Sequence, residues 1–364
     1  MEILIFCLVF LCFAILKIGK VSVLERKIAQ MLMIGFYGDD LSGNPEFIET
    51  LIRYNPGGVI LYNRPGHPGS GNITSREQLR HLTSTLQQYS STPLFIAVDQ
   101  EGGNVSRLKP EHGFCKTVTA RFIGEINLEE ETARWAETIA LDLAKSGINL
   151  NLAPVIDLNF YNLSPAIGKY DRCFSDAPTI VTKHAEIFCR IMAKHKIYSC
   201  LKHFPGHGSA KTDTHLATSD ISSTWKPEEL EPYRQLITRN AADLIMVCHV
   251  HNHKLDELYP ASLSKSFITG LLRQELGWQG VVITDDLQMK AVADYYFIND
   301  MLSMAILAGN DLLLFGNSKL TDHIDIAQLV KIIKKLVISG EIPESIINRA
   351  YEKICRLKAK FIDI

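Results

Sequence analysis

The sequence contains no C-x-x-C pair, no lysine/arginine block, no low-complexity stretch and no repeat of roughly 20–50 residues. The first absence removes paired-cysteine metal and redox centres. The second, with a formal net charge of −2, argues against nucleic acid as a partner, because phosphate binding needs a concentrated basic surface. The third and fourth remove linker-like and solenoid architectures. A glycine-rich phosphate turn after the first strand-like run is also missing, which weighs against an open dinucleotide-binding sheet. What remains is an ordinary globular composition, 46% hydrophobic and 21% charged, able to bury a sizeable core. The eight cysteines are scattered, and Cys200 and Cys248 fall inside apolar runs, where buried free thiols are common. A reducing compartment is the expectation.

Residues 1–22 stand apart from 23–364. The run from Ile3 to Leu16 is nearly all apolar and is followed by Lys17 and Lys20. It is short for a membrane span of about 20 residues. Glu2 sits where a secretory signal carries positive charge, and no A-x-A-like site follows. A weak membrane anchor or uncleaved extension, an atypical export signal and an early start remain open. The lysines would keep the downstream chain cytoplasmic. The expectation is a cytoplasmic protein, with export or inner-membrane anchoring through 3–16 as the alternative.

Eight short apolar runs alternate with helical patterns: Met31–Phe36, Gly58–Tyr62, Leu94–Asp99, Asn149–Ala153, Tyr198–His203, Leu244–His249, Val281–Asp285 and Leu312–Phe315. Continuous apolar runs suit parallel strands buried on both faces. Helices are expected at Ser75–Gln88, Glu131–Ser146, Thr179–His195, Pro227–Thr238 and Ser266–Leu276, with Gly147 and Gly277 as C-caps. Eight alternations predict one α/β domain over 23–364, a single (β/α)₈ barrel with long βα loops forming the active site.

Asp99, His203, His249 and Asp285 each end a different run, on the face where such barrels carry their chemistry. The densest stretch is Lys202-His203-Phe204-Pro205-Gly206-His207-Gly208 followed by Asp213-Thr214-His215. Asp213 and His215 are close enough in a loop to hydrogen-bond, which would orient the ring and favour its protonated form. In Thr284-Asp285-Asp286-Leu287 we assign the chemistry to Asp285 and a helix cap to Asp286. Asp99-Gln100-Glu101-Gly102-Gly103 with Arg107 could grip a polar ligand, and Arg172 stands beside an aromatic in a long loop. The histidines 203, 207, 215, 249, 251 and 253 with Asp285 also admit a metal-hydrolase reading, although their spacing matches no known site.

These motifs, with Ala153-Pro154-Val155-Ile156-Asp157, Asp171-Arg172-Cys173-Phe174-Ser175 and Pro260-Ala261-Ser262-Leu263-Ser264, resemble the single-domain β-N-acetylhexosaminidases of glycoside hydrolase family 3. They occur in family order from about Glu25 to Gly316. The resemblance implies Asp285 as nucleophile, His215 as acid/base and Asp213 as its dyad partner. It implies Asp99, Arg107, Arg172, Lys202 and His203 as holders of an N-acetylglucosamine ring, with no cofactor and no metal. It further implies a glycan or muropeptide substrate in cell-wall recycling. Phosphate instead of water as acceptor, a phosphorylase, stays open. Two departures stand out: Asn104 replaces the family's usual arginine, and Lys169-Tyr170 precede Asp171. Asn104 is not expected to touch the sugar.

Overall fold

The computed structural model describes residues 21–63, 71–317 and 323–361, so the apolar run at 3–16 lies outside the described residues. Every expected apolar run contains a strand: β1 Leu32–Gly35, β2 Gly58–Ile60, β3 Phe95–Val98, β4 Leu150–Asn151, β5 Tyr198–Phe204, β6 Leu244–Val247, β7 Val281–Thr284 and β8 Leu313–Phe315. Neighbours in the order β8-β1-β2-β3-β4-β5-β6-β7 pair in parallel. The ring closes where the Leu312 amide donates to Val282 O at 3.0 Å and the Thr284 amide to Leu312 O at 3.1 Å. This is a (β/α)₈ barrel.

Helices pack the outside, and their ends follow local chemistry. Ser75 and Gln78 form a reciprocal capping box at the start of helix Arg76–Gln88. Gly147 and Gly277 adopt left-handed φ of 72° and 80° where helical segments stop. The segment expected as one helix from Pro227 divides into a 3₁₀ turn, Pro227–Leu230, and a helix, Glu231–Thr238, with Pro232 in its first turn. Ser266–Glu275 winds as a π-helix. No helix among the described residues is long and apolar enough to cross a membrane. The described cysteines are free thiols, with Cys200 and Cys248 buried.

Side chains alternate across each strand, and this sets the mouth of the barrel. Phe95 and Ala97 of β3, Tyr198 and Cys200 of β5, and Val281 and Ile283 of β7 share the interior core cluster. Their neighbours Ile96, Leu201 and Val282 pack in the layer between strands and helices. Two residues further along the inward set lie Asp99, Lys202 and Asp285. The barrel interior therefore changes from apolar to charged at its carboxyl end. At the opposite end Asp311 accepts from Arg273 at 2.7 Å and Lys353 at 3.1 Å, and Lys358 donates to Gln30 at 2.8 Å.

Candidate active site

A cavity of about 500 Å³ opens at the carboxyl end. Asp99, Arg107, Arg172, Lys202, His203, Asp213, His215 and Asp285 all border it, so the structure brings together every residue singled out above as catalytic or sugar-binding. Tyr62, Glu101, Asn104, Tyr170, Met246 and Asp286 complete much of the wall. Asn104, not expected to touch the sugar, borders the same cavity.

Lys202 is the hub, with only 2% of its side chain exposed. Its Nζ donates to Asp99 Oδ1 at 2.8 Å and pairs with Glu101 Oε1 at 2.7 Å. Burial opposes its charge, but Asp99 and Glu101 outweigh that and raise its pKa. Arg172 forks onto Glu101, Nη2 to Oε1 at 2.7 Å and Nε to Oε2 at 2.8 Å, and gives Nη1 to Ala166 O at 2.8 Å. Buried ions persist only when paired and fully hydrogen-bonded, as here. Burial pushes the Glu101 carboxyl up, yet Arg172 and Lys202 hold it far below its usual range. Arg107 reaches Asp99 Oδ2 at 3.5 Å and lies over the Tyr62 ring.

His203 stands beside Lys202 because β5 shifts register against β6 between Leu201 and Phe204. Arg172 Nη2 lies 3.1 Å from His203 Nε2 and can only donate, so Nε2 accepts and Nδ1–H points to Asp157 Oδ2 at 2.7 Å. Asp157 Oδ1 also accepts the amides of His203 and His207, at 3.1 and 2.8 Å. One buried carboxylate thus fixes the ring and the following turn.

Asp285 ends the inward row of β7. Its amide donates to Val247 O at 2.9 Å and its Oδ1 accepts the Asp286 amide at 2.8 Å. Burial opposes ionisation, but His249, His203, His215 and the Asp286 amide prevail and bring the carboxyl down to about 2. Asp286 behaves oppositely: burial, reinforced by Asp285, raises it to about 6 against two backbone hydrogen bonds. Those bonds, from Gln288 N and Gly316 N to Oδ1, both 3.0 Å, correct its expected role. It closes a turn and clamps the chain after β8, whereas the next helix, Lys290–Ala293, has Met289 as N-cap with no side-chain bond.

The Asp213 side chain turns back on its own loop. Oδ1 accepts the His215 amide at 2.9 Å and faces His215 Nδ1 at 2.8 Å. The hydrogen bond that His215 donates to Asp213 raises the His215 pKa; desolvation opposes it and Asp285 adds to it. The imidazole is 65% exposed, at the mouth. A short parallel pair, Ser219–Asp220 with Val250–His251, ties this loop to the one after β6.

The remaining histidines do not converge. His249 Nε2 lies 3.0 Å from Asp286 O and so donates, and its Nδ1 lies 2.7 Å from Ser262 Oγ. His251 and His253 lie together, rings 5.7 Å apart. His207 is buried behind the cavity, 3.2 Å from Thr214 Oγ1, and burial brings its pKa down to about 4. Among the described residues, no three His, Cys, Asp or Glu side chains group as metal ligands.

Sequence reasoning gave no individual role to Glu101, Asp157 or Tyr62, although the first two stand in motifs quoted above. Inward alternation could have found the first and last: Glu101 follows Phe95, Ala97 and Asp99 two residues at a time, and Tyr62 follows Ile60. Asp157 acts through contacts 46 and 50 residues away, beyond any local pattern.

The sequence profile of the glycosyl hydrolase family 3 N-terminal domain matches residues 23–357. The beta-hexosaminidase of Photobacterium profundum is 36% identical over 295 residues, 79% of this chain and 82% of that protein. Beta-hexosaminidase A of Pseudoalteromonas piscicida is 29% identical over 346 residues, 87% of this chain but 55% of its own length. A solved family 3 beta-N-acetylglucosaminidase from a Paenibacillus species superposes with a TM-score of 0.83 at 29% identity, covering 93% of this chain and 63% of that one.

Proposed function

This chain belongs to glycosyl hydrolase family 3, and we propose that it is a retaining β-N-acetylhexosaminidase that removes terminal β-linked N-acetylglucosamine. The observation that carries the reading is one cavity bordered by an ionised Asp285, the Asp213–His215 pair and the Lys202–Arg172 network. In the first step Asp285 attacks the anomeric carbon while His215, held at Nδ1 by Asp213, donates its Nε2 proton to the departing glycosidic oxygen. A covalent glycosyl-enzyme forms and the leaving group departs as an alcohol. In the second step neutral Nε2 takes a proton from water, the hydroxide equivalent attacks the anomeric carbon, and the Asp285 carboxylate is released.

The electrostatics favour this cycling. The Asp213 hydrogen bond first, and the Asp285 charge after it, hold the His215 proton. Esterification of Asp285 removes that second charge, so the ring gives up its proton more readily when it must act as base. Lys202, Arg172, Arg107 and Asp99 supply charge-assisted donors and acceptors for the sugar hydroxyls and acetamido group, already fixed before substrate arrives. The finer substrate, N-acetylglucosamine on a muropeptide fragment of peptidoglycan, rests on the family resemblance.

The test is hydrolysis of nitrophenyl β-N-acetylglucosaminide followed by NMR, with and without phosphate. Retained β-N-acetylglucosamine as first product supports the reading. The α-anomer contradicts retention, and a sugar 1-phosphate would make phosphate the acceptor.

A further inference from the structure

The two departures from the family pattern, 66 residues apart in sequence, meet in space. Asn104 Nδ2 donates to Tyr170 O at 3.2 Å, and both residues border the cavity. Tyr170 ends a 3₁₀ turn, Gly168–Tyr170, and Asp171 beyond it takes a left-handed φ of 55°. A non-glycine residue in that region needs support from its surroundings. Arg121 provides it, pairing with Asp171 Oδ1 at 3.2 Å and donating its amide to Asp171 O at 3.2 Å. The Tyr170 and Arg172 amides both return to Ile167 O, at 3.2 and 3.3 Å. The Tyr170 backbone is therefore held in place, two residues before the buried Arg172 fork. The residue is 43% exposed, and Lys169 Nζ lies 5.8 Å from its ring centroid.

The cavity divides by depth. Asp285, Lys202, Met246 and Leu152 lie low, where the barrel core begins, and His215 and Tyr170 stand at the rim. A leaving group whose oxygen must reach His215 has its remaining atoms in the rim. A tyrosine ring offers a flat apolar face to sugar C–H groups and a polar edge to water. Resting on the glycosidase reading above, we propose that Tyr170, tethered by Asn104, is the platform on which the leaving-group sugar ring stacks, and so sets the preference for glycan over small leaving groups.

The test compares the β-1,4-linked disaccharide of N-acetylglucosamine with β-N-acetylglucosaminyl fluoride, whose leaving group is one atom. The readout is the ratio of their kcat/KM values. Tyr170→Ala should lower the disaccharide-to-fluoride ratio about fivefold or more, and Asn104→Ala should lower it less, in the same direction. Tyr170→Phe, which keeps the face and loses the hydroxyl, should hold the wild-type ratio. An unchanged ratio in Tyr170→Ala, or a Phe variant as impaired as the Ala variant, overturns the platform. A wild-type enzyme inactive on the fluoride overturns the glycosidase reading itself, and the platform with it.

Discussion

Lys202 and Lys358 are both buried lysines, one at each end of the barrel, and their environments drive them apart. Lys202 meets Asp99 and Glu101 at 2.8 and 2.7 Å, and its pKa rises. Lys358 donates to the neutral Gln30 amide oxygen at 2.8 Å over the Phe95 ring, with no carboxylate paired to it among the described residues, and burial brings it down to about 7. Asp285 and Asp286 repeat the contrast within two residues, about 2 against about 6. At the carboxyl end the charges are arranged around a cavity. At the other end Asp311 pairs with Arg273 and Lys353, and Arg273 also donates to the Gly309 carbonyl. Burial of ions is thus uninformative by itself, and so is a cavity, since Arg273, Asp311 and Lys353 also border one of about 280 Å³. What separates the two ends is that the carboxyl-end cavity also gathers Asp285 and the Asp213–His215 pair.

The largest effect that would sharpen this comparison is Asp285→Asn. Loss of the proposed nucleophile should cost on the order of 10³-fold or more in kcat, over about 4 kcal/mol of barrier, with the thermal midpoint little changed. Asp286→Asn, which keeps an Oδ1 able to accept from Gln288 and Gly316, should cost far less. Comparable losses in steady-state assays would erase the distinction between the two carboxyls.

Next, Lys202→Met should lower kcat/KM by roughly tenfold to a hundredfold through lost charge-assisted contacts, and should destabilise the fold by leaving carboxylates short of a cation. Lys358→Met should leave kcat/KM alone and act only on stability. The folded pKa of Lys358 is about 7, below the unfolded value of about 10.4, so protons leave on folding between those limits. Wild type should therefore gain on the variant as pH rises from about 7, by about 1.4 kcal/mol per unit, and show no such gain below it. Chemical denaturation at several pH values reads this directly. A flat difference would mean that Lys358 is charged in its bed.

Much of this contrast was legible in the sequence. Eight apolar runs predicted eight strands, and inward alternation explains why Asp99, Lys202 and Asp285 share one mouth. The Asp-x-His loop announced the contact between the Asp213 carboxylate and the His215 ring, 2.8 Å, and the same oxygen also accepts the amide two residues on. What escaped lies in contacts between distant loops. Glu101 needs Arg172 from 71 residues away to become part of the cavity wall. Glu229, given no part by sequence reasoning, lies under the turn from Gly206 to Ser209. Ser209 Oγ donates to it at 2.6 Å, and burial raises it to about 8. Asp286 reads as a helix cap and instead clamps Gly316.

The smallest predicted effect concerns the dyad. Asp213→Asn removes the main support for the His215 proton, so the basic limb of kcat/KM should move to lower pH. The sign is fixed by the acid role: the free enzyme loses activity as His215 deprotonates, and a lowered pKa brings that loss earlier. A limb that stays in place would separate His215 from the first step.

The central claim is that Asp285 becomes covalently bonded to the sugar. Treatment with 5-fluoro-β-N-acetylglucosaminyl fluoride, which slows release of the glycosyl-enzyme, followed by peptide mass spectrometry, tests it most directly. The account predicts one sugar adduct per chain, carried on Asp285 and absent from Asp285→Asn. An adduct on Asp286 or another residue, or complete turnover through inversion with no adduct, would contradict it.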